Sequence, residues 1–246
     1  MILVAAGGIL VAVLGLTYWI FMSPYSQLFG DFPYKNLTSE KVVALTFDDG
    51  PNEPFTSEIA DFLHTRAVRA TFFQVGSCVD RNPEVTVRLA REGHLIATHS
   101  YSHRFRHCLS WSTQREDIEK GRQTLTTLLG RRPALFRPPW LFRHPPMLRT
   151  LRAQGLEPIS GEFAHVLEVF QPRPERIARR ALAKARPGAI LIFHDGFDAR
   201  TGPRGQTVEA LKLVVDHLLR DGYSFATIDE LLGIPGYHSL GKSEFD

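Results

Sequence analysis

Val42-Val43-Ala44-Leu45-Thr46-Phe47-Asp48-Asp49-Gly50-Pro51 is an apolar run closed by two successive carboxylates and a Gly-Pro turn. A short apolar run bounded by turn residues reads as a buried strand. Working outward, runs of the same kind return at Ala70–Val75, His94–Thr98, Ala134–Phe136, Glu157–Ser160, Ala189–Phe193 and Ser224–Thr227. Between them lie stretches with helical spacing: Glu53–Arg66, Pro83–Glu92, Ser112–Leu129, Pro145–Gln154, Pro174–Ala185 and Gln206–Asp221. Prolines near helix starts (Pro54, Pro83, Pro174) and glycines near helix ends (Gly93, Gly130, Gly155, Gly188, Gly222) punctuate the alternation. Strands that alternate with helices, at about 30 residues per unit, make a parallel sheet covered by helices. The expected fold is α/β, a distorted barrel of the (β/α)7 type.

Composition narrows the function classes. The 246 residues are 43% hydrophobic and 22% charged, which excludes a disordered, collagen-like or disulfide-dense chain. With 29 Lys+Arg against 26 Asp+Glu, the charge is too balanced for an electrostatic footprint on nucleic acid, and no nucleic-acid partner is expected. No repeat or second domain is visible.

The N-terminus departs from this make-up. Ile2 to Met22 contain no charged residue, and as a helix they extend about 32 Å, the thickness of a bilayer's hydrocarbon core. Tyr18 and Trp19 lie near the end of the run, where interfacial aromatics are favoured, and Pro24 stops the helix. A cleaved signal peptide fits less well: no Lys or Arg precedes the run and no small-x-small site follows it. Residues 1–22 are therefore expected to be one transmembrane signal anchor. Residues 23–39 read as a linker, 40–233 as one α/β domain and 234–246 as a frayed C-terminal tail. Cys78 and Cys108 each follow an expected strand end; outside the membrane they could close a disulfide, and in the cytosol they would stay reduced.

Parallel α/β folds place their sites at the C-terminal ends of strands. Here those ends read Asp48-Asp49 after the first run, His99 and His103 after the third, Arg137-Pro138-Pro139-Trp140 after the fourth and His194-Asp195 after the sixth. His99 and His103 are four apart, so a helical turn after the strand would put both imidazoles on one face. Two imidazoles and one carboxylate make a divalent-metal site of the catalytic kind, with a position open for water or substrate.

These motifs resemble the polysaccharide deacetylase family, also called the NodB homology domain or carbohydrate esterase family four. T-F-D-D-G-P at 46–51, H-S-x-x-H at 99–103, R-P-P-W at 137–140 and I-F-H-D at 192–195 look like its signatures, in the family's order. The resemblance implies that Asp49, His99 and His103 bind a divalent metal, zinc first, with Co2+ or Ni2+ as substitutes. It implies that Asp48 is the general base, His194 the general acid, and Arg137 the group that holds Asp48 ionised and oriented. Trp140, with Pro138, would line the sugar groove, and Asp195 would act behind the site or merely cap a loop. The family's D-x-x-D-W signature is missing: the corresponding stretch is His165-Val166-Leu167-Glu168-Val169. Glu168 either replaces the carboxylate that orients the acid histidine or is a surface acid, and His165 reads as an ordinary loop residue.

The implied activity is metal-dependent hydrolysis of N-acetyl groups from amino sugars of cell-wall or surface polysaccharide, with peptidoglycan, a chitin-like oligomer or a lipid-linked sugar as glycan partner. The domain would then work outside the cytoplasmic membrane, held there by the N-terminal helix. The competing readings are a deacetylase or deformylase of a lipid-linked sugar, an O-acetyl esterase on the same scaffold, and, from another class, an inactive glycan-binding module.

Overall fold

The computed structural model describes residues 2–239, with side chains described from Gly7 onward. Strand β1 (Val42–Asp48) lies within a parallel sheet. On one side of it stand β2 (Thr71–Gln74), β3 (Leu95–Thr98), β5 (Leu135–Phe136) and β6 (Glu157–Pro158); on the other stand β8 (Ile190–His194) and β7 (Glu162–Phe163). The order is β6-β5-β3-β2-β1-β8-β7, and β9 (Ser224–Phe225) pairs with the first half of β1. Among the described residues no ladder joins β6 to β7, so the sheet curls into a half-barrel and does not close. All seven expected runs contribute strands; β7 is too short for its periodicity to be seen in the sequence.

The covering helices are α2 (Phe55–Thr65), α4 (Pro83–Arg91), α5 (Trp111–Leu129), α6 (Pro145–Ala153), α7 (Pro174–Leu182), α8 (Gly205–Arg220) and α9 (Ile228–Leu232), with the single turn α3 (Gly76–Val79) after β2. Alternation along β1 explains how the sheet serves two purposes. Val43, Leu45 and Phe47 point into the larger core with Ile59, Leu63, Leu211 and Val215, while Ala44 joins a second core with Leu135, Ile159 and Ile190. Phe47 stacks on Phe72 at 4.9 Å and meets Phe193 at 6.0 Å. Each such fully buried ring contributes roughly 2–3 kcal/mol of transfer free energy, which pins the register of the strand. Thr46 and Asp48 share the parity of Ala44, so the register that buries Phe47 also turns Asp48 away from the larger core.

The chain ends differ from expectation. Residues 23–39 are not a loose linker: Phe32 is fully buried, Gln27 clasps its backbone, and Ser160 Oγ donates to the Pro24 carbonyl. The buried Arg143 guanidinium donates to the carbonyls of Ser23 and Ser26. Nor is the whole tail frayed, since β10 (Tyr237–His238) pairs with β4 (Arg132–Pro133) and the Tyr237 hydroxyl accepts from the Ile96 amide; residues 240–246 lie outside the described residues. Helix α1 (Ile2–Phe21) precedes the domain. Among the described residues no helix is long and apolar enough to cross a membrane. The side chains of residues 1–6, which complete the expected span, lie outside the described residues. Cys78 and Cys108 are both free. Cys78 Sγ faces the Asp49 carbonyl and Arg81, while Cys108 sits beside Gln114 of α5, so each thiol is buried in its own environment.

Candidate active site

The carboxyl ends of β1, β3 and β8 and the loops after β5 and β7 meet at a cleft of about 420 Å³. Asp48, Asp49, His99, His103, Pro138, Trp140 and His194 all line it. Asp48 ends β1 and His194 ends β8, and the two are register partners on neighbouring parallel strands. Asp49 then takes φ 75°, a left-handed conformation rare for a residue with a side chain, which turns its carboxylate from the line of the strand. Gly50 is required next: a Cβ there would lie 2.0 Å from Asp195 Oδ2.

His99 and His103 come together by a different route from the expected helical turn. The loop after β3 bends through Ser100 (φ 68°) and His103 (φ 50°), bringing the two rings to 5.0 Å between centroids. His99 Nδ1 lies 2.6 Å from the Arg137 carbonyl, which can only accept, so Nδ1 carries the proton and Nε2 is left with the lone pair. His103 Nδ1 donates to Asp198 Oδ1 at 2.9 Å, which likewise turns Nε2 inward. The two Nε2 atoms lie 3.4 and 3.1 Å from Asp49 Oδ1. That oxygen is buried and neither imidazole is aligned to hydrogen-bond it, while Asp49 Oδ2 is occupied by the Asp198 amide. Three ligand atoms within 4.8 Å of one another therefore face a common point that calls for a cation. Burial alone would raise the Asp49 carboxyl, but His103, His99 and His194 hold it well below the usual carboxylate range. Burial would lower the His103 imidazole, yet Asp49 and Asp198 raise it to about 10. A buried carboxylate oxygen and two imidazole Nε2 atoms converging on one point fit a divalent metal.

The acid and base flank this centre. Arg137, fully buried, donates from Nη1 to Asp48 Oδ1 at 2.7 Å and to Thr46 Oγ1 at 2.7 Å, and from Nη2 to the Ser160 carbonyl. A guanidinium fixed at three points leaves Asp48 one orientation and its second oxygen to accept from the cleft. Glu168 is no surface acid. It is 1% exposed, accepts from the His194 amide at 3.1 Å and from His194 Nδ1 at 2.9 Å, and is held by the Thr207 hydroxyl at 2.7 Å. Burial would lower His194, but Glu168, helped by Asp49 and Asp48, raises it to about 9. Phe163 stacks on the imidazole at 6.1 Å.

Asp195 is turned toward Thr56 and Gly50. Its carboxylate accepts from Thr56 and supports the turn at Gly50, and burial pushes it up to about 7. Trp140 packs on His103 at 4.4 Å and Pro138 lies beside it in the wall. His165, read as an ordinary loop residue, is buried in the wall, its Nδ1 accepting from the Leu167 amide. Asp198, Thr207 and Met22 carry no signal of their own in the sequence, and Tyr18, expected at the membrane interface, also lines the cleft. Asp198 follows the I-F-H-D run by three residues, and that proximity is the signal that could have marked it.

Comparison with known proteins agrees with this geometry. Residues 35–159 match the family model described as polysaccharide deacetylase. The chain is 32% identical over 195 residues to a peptidoglycan-N-acetylglucosamine deacetylase of Bacillus cereus, covering 79% of this chain and 89% of that protein. It is 31% identical over 208 residues to a chitooligosaccharide deacetylase of a Bradyrhizobium species, covering 80% and 94% respectively. A solved peptidoglycan N-acetylglucosamine deacetylase superposes with a TM-score of 0.77 at 27% identity, over 83% of this chain and 94% of that one. On the matched region and these identities, the chain belongs to the polysaccharide deacetylase family.

Proposed function

We propose that the protein is a metal-dependent N-deacetylase acting on N-acetylated amino sugars of cell-wall or surface polysaccharide. One observation carries this reading: the converging Asp49, His99 and His103 ligand atoms stand in one cleft with an Arg-held Asp48 and a carboxylate-held His194. A divalent ion held by those three residues would supply Lewis-acid polarisation of the acetyl carbonyl and of the attacking water. Asp48, oriented through Oδ1, accepts the proton that water gives up as its oxygen bonds to the acetyl carbon. His194 gives its proton to the nitrogen as the C–N bond breaks, and Glu168 keeps that imidazole charged and aimed. The products are acetate and a free amino sugar. Full-length protein supplied with Zn2+, Co2+ or Ni2+ should release acetate from N-acetylglucosamine oligomers or peptidoglycan; a metal-loaded chain that releases none from any N-acetylated glycan, soluble or lipid-linked, would refute the assignment.

The role of Glu168 has its own test. His194 is raised to about 9, so it stays protonated below that pH and the alkaline limb of the rate profile should lie near it. Glu168→Gln removes the charge that raises it, so the limb should move acidward, toward the ordinary imidazole value of about 6.5, with up to about a 30-fold loss of kcat at pH 8. An unchanged limb would leave Glu168 a structural residue only.

We also read α1 as a single-pass anchor that holds the domain at the outer face of the cytoplasmic membrane. Its 20 residues rise about 30 Å, and Ile9, Leu10, Val11, Val13, Leu14 and Leu16 are exposed on all sides of it. High salt should leave the protein in the membrane fraction and detergent should extract it; release by salt would argue against an anchor.

A further inference from the structure

The last turn of α1 does more than approach the domain. Tyr18 and Met22 line the same cleft as Asp48, Asp49 and His194. The turn is locked there: the Arg143 amide donates to the Phe21 carbonyl at 2.9 Å, and the Phe21 ring meets Phe29 at 5.5 Å and Phe142 at 6.1 Å. The buried Arg143 guanidinium also holds the carbonyls of Ser23 and Ser26, so the chain just after the helix is tied to the same wall. A membrane-embedded α1 would therefore hold the cleft at the bilayer surface.

The chemistry of the cleft wall points the same way. A run of sugar hydroxyls needs hydrogen-bonding partners. On the side that faces α1, hydrogen-bonding groups besides the acidic and histidine side chains are limited to the Tyr18 hydroxyl and the Trp140 indole, whereas Ser77, Arg81, Ser102 and Arg104 line a separate groove beyond His103, Trp140 and Asp198. What remains is mostly carbon, with Met22, Leu141, Val166 and Val169 aliphatic. The loop before and after the buried Glu168 turns its apolar side chains outward: Val166 is 70% exposed, Leu167 49% and Phe170 75%. Such a cluster at the mouth of a cleft marks an apolar partner. Its position, in the cleft that also receives the end of α1, matches residues dipping into the interface.

We infer that the glycan is deacetylated while still attached to a lipid: the substrate is an N-acetylated amino sugar on a lipid carrier, with the sugar at Asp48 and His194 and the chain leaving between the end of α1 and the 166–170 loop. This rests on the deacetylase and anchor readings above. The reaction is the same hydrolysis, water adding across the amide to give acetate and amine, and the lipid serves only recognition.

The test uses the full chain, metal-loaded, in phosphatidylcholine vesicles. The hexadecyl glycoside of N-acetylglucosamine embedded in those vesicles is compared with the soluble N-acetylglucosamine tetramer. The hexadecyl glycoside should give kcat/KM at least about 10-fold higher, and KM should fall as the alkyl chain lengthens from octyl to hexadecyl. Met22→Glu should lower the ratio of the two kcat/KM values at least about 10-fold by raising KM for the hexadecyl probe. If the soluble tetramer is turned over as well as the hexadecyl probe, or KM ignores chain length, the inference is wrong and the deacetylase reading stands. If neither substrate nor peptidoglycan yields acetate with metal bound, the deacetylase reading falls and this inference with it. The chain-length series is read on the unaltered protein and does not depend on how the variant folds.

Discussion

Asp49→Ala should bring bound metal to below about a tenth of an ion per chain and lower acetate release by more than about 1000-fold, a barrier increase of about 4 kcal/mol. The reason is geometric. Asp49 Oδ1 is the buried oxygen around which the His99 and His103 Nε2 atoms gather, and without it two imidazoles face each other with no anionic partner between them. The Asp49 carboxylate also accepts the Asp198 amide, and Asp198 in turn orients His103, so its loss disturbs a second ligand. Metal analysis by mass spectrometry, with thermal melting as the control for folding, checks this outcome. Normal metal content with normal turnover would remove Asp49 from the ligand set. Chelation of the unaltered protein should reproduce the loss, and restoring the metal should reverse it.

Asp48→Asn should behave differently, keeping the metal while lowering kcat at least about 100-fold. The Asn side chain has nearly the same shape, and its carbonyl oxygen can still accept from Arg137 Nη1, so the bonds from Arg137 to Thr46 and to the Ser160 carbonyl should hold the local structure. What disappears is the ability to take a proton. The contrast between neighbouring residues is the useful feature: Asp49→Ala loses metal and activity together, while Asp48→Asn separates them. Retention of normal kcat in Asp48→Asn would show that another group accepts the proton from water.

Much of this was legible in the chain itself. The register of β1 follows from its alternation, because a one-residue slip would carry Phe47 out of the core and Asp48 into it. Six of the expected helices lie within three residues of their observed ends, since proline and glycine act locally at helix boundaries. The ligand set was visible as residue types at strand ends, though the expected helical turn at His99 and His103 is a loop with two left-handed residues. Periodicity carries no information about such backbone turns.

Other features needed the third dimension. Glu168 stood equally as a partner of His194 or as a surface acid, because 26 positions separate the two and only the half-barrel brings the loop after β7 against β8. The same holds for Asp198 behind His103, for the two cysteines buried apart, and for Tyr18 and Met22 in the cleft wall. The amino-acid sequence by itself determined the α/β alternation, the site chemistry and the apolar character of the N-terminus, because each is written in residue type and short-range spacing. Only the tertiary structure decided which carboxylate serves which histidine and which side chains face the substrate, because long-range contacts depend on how the sheet curls and on what the ends of the chain pack against.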